Sequence, residues 1–95
     1  MNKVYKINEL NYELIENYKE GFIYEDVLNK ATDYFNDFDY IVGDWSYGKL
    51  RLKGFCDKSN KLIKKYNDIT NYKQYIKDEC AYDCKYFILK KKETV

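Results

Sequence analysis

At 95 residues, with 17 Lys or Arg against 16 Asp or Glu, the chain is nearly neutral and forms one domain, residues 1–95, burying only about 60 to 65% of the surface it exposes unfolded. The absence of histidine excludes Ser-His-Asp triads, Cys-His dyads, His-ligated metals and histidine pH switches within this chain. The absence of proline leaves every turn to Gly, Asn, Asp or Ser.

No apolar run is long enough to span a membrane, and the start MNKVYKINELNYE lacks the apolar core of a signal peptide. A cytoplasmic protein with no membrane contact is expected, and with it three cysteines held as thiols. Aromatic residues at 19%, twelve of them Tyr, let few side chains cover much area, which favours an ordered domain despite 35% charged residues.

Residues 12–19, YELIENYK, alternate in the manner of a strand, and KVYKI, residues 3–7, reads as a short extension. From Tyr24 to Phe35 the positions Val27, Leu28, Ala31, Tyr34 and Phe35 make one helical stripe, with Glu25 and Asp26 at the positive end of its dipole. Residues 39–45 and 49–55 read as two further strands, and 57–68 as a long loop with one turn of structure. Asp68 or Thr70 caps a second helix with the stripe Ile69, Tyr72, Ile76 and Cys80, and 85–92, KYFILKKK, close the chain as a strand.

The order strand, helix, strand, strand, helix, strand predicts an α+β fold of the ferredoxin-like or related split βαβ type: an antiparallel sheet with both helices on one face. The other face is then open, and the first strand lies between the third and fourth. Residues 1–48 carry four Lys and ten acids, a net of −6; residues 49–95 carry thirteen cations and six acids, a net of +7. Interleaving of acidic and basic strands, with the acidic first strand between two basic ones, accounts for this asymmetry better than a basic patch does.

The stretch DWSYGKLRLKGF, residues 44–55, holds the only Trp and the only Arg. Leu50 and Leu52 share one side of their strand, so Lys49, Arg51, Lys53 and Phe55 share the other. A two-residue Tyr47-Gly48 turn sets Trp45 opposite Leu50 in the core and Asp44 opposite Arg51. A three-residue Ser46-Tyr47-Gly48 turn sets Trp45 opposite Lys49, which creates an aromatic and cationic platform. Such a platform suits single-stranded nucleic acid, and Lys53-Gly54-Phe55 matches the start of an RNA-recognition pattern that Cys56 and Asp57 then break. RNA or another nucleic acid is therefore the expected partner of the surface Trp45, Tyr47, Lys49, Arg51, Lys53 and Phe55, with a protein partner or a second copy of the chain as the alternative on the same face.

Cys56, Cys80 and Cys84 are candidates for a thiolate metal or redox site, although CxxxC is not the usual knuckle and buried thiols are the commoner use of cysteine. No acid pair is placed for acid/base work and no glycine-rich loop opens a helix, so a non-enzymatic domain without a cofactor is expected.

The stretches YELIENYKEGF, FDYIVGDWSYGKLRLKGF and ECAYDCKYFILKKK resemble the YutD-like domain family of low-GC Gram-positive bacteria and their wall-less relatives, over most of residues 12–91. Ser46, where relatives tend to have Gly, and the loop at 57–68 depart from it. The resemblance implies a small cytoplasmic α/β domain with the hairpin as its signature, and brings no catalytic or ligand residue onto this chain.

Overall fold

A computed structural model describes residues 3–79 and 84–92. Strands β1 (Val4–Ile7) and β2 (Leu10–Tyr18) form a hairpin through Asn8 and Glu9, both with positive φ. Helix α1 (Tyr24–Lys30) follows, then a short 3-10 helix (Asp33–Asp37), the hairpin of β3 (Tyr40–Ser46) and β4 (Lys49–Phe55), two 3-10 turns, α2 (Tyr72–Glu79) and β5 (Tyr86–Lys92). The α+β class, the split βαβ plan and the antiparallel sheet are those the order of elements predicted. The strand extension at 3–7 is a fifth strand in its own right.

Two features of the expected arrangement differ. The sheet order is β1-β2-β5-β3-β4, so β2 lies between β1 and β5, and β4 is an edge. Charge interleaving holds for β2 against β5, where Lys92 meets Glu13 at 3.9 Å, but the basic β4 is not flanked by acidic β2.

The helices lie on opposite faces. Ile41, Leu50, Phe87 and Leu89 pack with Val27, Ala31 and Phe35 from α1 and the turn after it. Val42, Phe55 and Ile88 pack on the other side with Ile69, Tyr72, Tyr75 and Ile76 from α2 and its approach. Neighbours such as Ile41 and Val42 point to opposite faces and are both buried, as are Phe87 and Ile88. A strand apolar on both faces needs cover on both, and that requirement places α2 where an open face was expected.

The predicted α1 stripe also stops early. The backbone turns extended at Ala31 and Thr32, and a separate 3-10 helix starts at Asp33. Phe35 still reaches the core, but Tyr34 is 64% exposed. The 57–68 segment is organised by Asp39, whose carboxylate accepts from the Asp57 amide (2.8 Å) and from Asn60 Nδ2 (3.0 Å). The Asp68 side chain caps the next turn by accepting from the Thr70 amide at 2.9 Å.

Candidate binding edge at the central hairpin

The hairpin closes through a two-residue turn, Tyr47 (φ 54°) and Gly48 (φ 76°), in which both residues take the left-handed conformation. Asp44 therefore opposes Arg51, and Trp45 opposes Leu50. Of the two registers the sequence allows, this is the one that ties Arg51 to Asp44. Arg51 Nε donates to Asp44 Oδ1 at 3.0 Å and Nη2 to Oδ2 at 2.9 Å, a bidentate pair around a carboxylate that is 1% exposed. Arg51 Nη2 also donates to the Glu79 carbonyl at the end of α2. The hydrogen bonds to Asp44 raise the Arg51 pKa above its ordinary value and hold its charge in place.

The same register dissolves the platform expected around Trp45, Arg51, Lys53 and Phe55. Trp45 lies on the α1 face, its Nε1 donating to the Gly21 carbonyl at 2.7 Å, with Lys85 Nζ 5.1 Å from its ring. Phe55 is wholly buried under α2. Lys53 does point with Arg51 and Phe55, but its Nζ sits 5.4 Å from the rings of Phe55 and Tyr66 and 5.6 Å from that of Tyr75. Its charge is thereby held by three aromatic faces of its own chain. Lys49 and Tyr47 alone of the six remain outward, and Tyr47 is 95% exposed.

What the structure adds is the edge. With Ser46 and Lys49 paired beside a two-residue turn, the hydrogen-bonded pairs of the ladder fall at Lys49, Arg51 and Lys53. The main-chain groups of Leu50 and Leu52 then point away from β3, and no hydrogen bond among the described residues engages them. Beside Leu52, Lys53 and Gly54 runs a cleft of about 170 Å³, bounded by Tyr34 and Phe38 on one side and Tyr66 on the other. Tyr47, Tyr66 and Tyr34, at 95%, 70% and 64% exposure, are the most exposed large apolar residues described, and all three border this hairpin. Sequence reasoning assigned Tyr34 to the inner stripe of α1. The Thr32-Asp33 pair, a helix-start signal inside that stripe, is the feature that separates it.

Among the described residues Cys56 joins no cluster of thiols. Cys56 is a buried free thiol whose pKa is raised by burial, then by Asp39 and Asp68, the opposite of an activated nucleophile. Cys84 is disulfide-bonded, where thiols were expected, and Cys80 lies outside the described residues. Among the described residues no cluster of metal-binding side chains forms, and no helix is long and apolar enough to cross a membrane. The Glu16 carboxylate accepts from Tyr72 and Tyr86; burial and then this carboxylate push the Tyr86 hydroxyl up to about 12.

Fold and hairpin together define a small α+β domain of the split βαβ type with a tyrosine-bordered edge strand. The chain belongs to the YutD-like family: the family model described as "Putative antitoxin YutD-like" matches residues 6–90. It is 42% identical over 85 residues to "Putative antitoxin YutD" of Bacillus subtilis strain 168, covering 90% of this chain and 93% of that protein. The solution NMR structure of protein yutD from B. subtilis superposes with a TM-score of 0.81 at 39% identity, covering 98% of this chain and 84% of the other.

Proposed function

We propose that this protein is a non-enzymatic binding module whose partner is another protein, and that it grips that partner through the β3–β4 hairpin. The observation that carries the reading is the placement around that hairpin of the three most exposed tyrosines among the described residues. Tyrosines on a rigid frame are the side chains that anchor protein interfaces, because they bring large contact area at low conformational cost. Tyr47 adds weight: a bulky residue at φ 54° is disfavoured, and 95% exposure means the fold recovers nothing from its ring. The antitoxin name carried by the B. subtilis relative agrees with a protein partner.

The nucleic-acid reading lost its main support when Phe55 went under α2, Trp45 to the opposite face and the Arg51 charge to Asp44. The raised Cys56 thiol and the lack of histidine favour a binding role over catalysis. A photo-crosslinking amino acid at position 47, used in cells, tests the reading. The expected result is one major protein adduct that survives nuclease treatment; adducts that disappear with nuclease would place nucleic acid there instead.

A further inference from the structure

Building on the protein-partner reading above, we infer that β4 accepts an extended, acidic segment of the partner as a sixth strand of the sheet. Three observations lead there. Strand β4 is an edge of seven residues whose Leu50 and Leu52 turn their amide and carbonyl groups away from β3, and among the described residues those groups have no hydrogen-bond partner. Such a row pairs with extended backbone and with nothing else so well. The opposite edge, β1, has only four residues and offers a shorter ladder.

The cleft along Leu52, Lys53 and Gly54 supplies the second argument. Tyr34 stands on one side of the strand and Tyr66 on the other, so a strand laid against β4 finds an aromatic wall above and below for its alternating side chains. Neither tyrosine is buried in the domain as it stands.

Charge selects among extended segments. Residues 49–66 hold six Lys and Arg51 against Asp57 as the only acid, a net of +6. Arg51 is neutralised by Asp44, but Lys49 remains exposed on the edge strand itself. A second copy of this chain, pairing β4 with β4, would bring Lys49 and Lys53 against the same lysines, which like-charge repulsion opposes. An acidic strand meets complementary charge at Lys49, where the edge begins.

The test is selection of a random peptide library against the full-length protein, followed by amide hydrogen exchange on the complex. The expected outcome is enrichment of peptides that alternate Asp or Glu with β-branched residues. These peptides should slow exchange at Leu50 and Leu52 at least tenfold and lose affinity as salt is raised. Full-length protein with N-methyl-Leu52, assembled by ligation at Cys56, keeps every side chain and the β3 ladder while blocking the edge. Its affinity for the selected peptide should fall about tenfold, the scale of one hydrogen bond. Lys49→Glu, at an exposed position, is the second variant and should weaken binding without touching the core.

Selected peptides without acidic enrichment, or unchanged exchange at Leu50 and Leu52 on binding, would overturn the edge while leaving a protein-binding module in place. A concentration-dependent dimer that protects Leu50 and Leu52 without peptide would assign the edge to a second copy. If no peptide is selected and the crosslinked species at residue 47 is nuclease-sensitive, the protein-partner reading itself fails.

Discussion

Asp44 and Arg51 face each other across the hairpin as a two-pronged ion pair, with the carboxylate buried and the guanidinium side chain 39% exposed. The pair fixes the register, because a one-residue slip would bury Asp44 unpaired or turn it out toward solvent. Its energy lies between an exposed pair, worth under about 1 kcal/mol, and a buried one, whose disruption costs roughly 3–5 kcal/mol. Arg51→Ala should lower stability by about 2 kcal/mol in denaturant unfolding and speed amide exchange in α2, whose end Arg51 also holds. Arg51→Lys, which keeps the charge and loses the fork, should lose about half as much.

Gly43 lies beneath the ring of Phe87 in the centre of the sheet. A Cβ there would fall 2.1 to 2.7 Å from three ring atoms, closer than any contact can be without movement. Phe87 is fully buried with no free direction in which to swing. Gly43→Ala should therefore destabilise the fold by about 3 kcal/mol, at the upper end of overpacking effects. Gly43→Ala combined with Phe87→Leu should recover part of that loss, which a double-mutant cycle of thermal unfolding would measure.

Alkaline pH should unfold the protein through its tyrosines. Tyr86 is raised to about 12 by burial and Glu16, and Tyr12, Tyr72 and Tyr75 are also raised, chiefly by burial. A tyrosine that ionises near pH 10 when unfolded and higher when folded favours the fold in its neutral form. Stability from these groups is complete below about pH 10 and falls as pH rises toward about 12, since the unfolded chain then binds fewer protons. Tyr86→Phe should flatten part of that fall, as read from chemical denaturation at a series of pH values.

The strands, the hairpin and the second cap were legible because each rests on local chemistry: alternation in 40–46 and 49–55, Asp68 before Thr70, and glycine at the turn. The register was legible only as a choice, since Tyr47-Gly48 and Ser46-Tyr47-Gly48 both obey turn rules and only tertiary contact, the Trp45 bond to Gly21, favours one. The side taken by α2 was misjudged for a related reason. Val42, Phe55 and Ile88 look in sequence like strand residues of either face, and their need for cover is visible only once Ile41, Leu50 and Phe87 are seen filling the other side. The edge formed by Leu50 and Leu52 follows from strand order, which no local pattern encodes.

Tyr47→Asn measures the account's central claim most directly, because the fold and the proposed partner place opposite demands on that residue. Asparagine adopts the left-handed turn at lower cost, so the variant should be more stable by about 0.5–1 kcal/mol. Its nuclease-resistant capture of the protein partner from cell lysate should at the same time fall at least tenfold against wild type. Stability raised with capture undiminished would contradict the account, since Tyr47 would then serve neither the fold nor the interface.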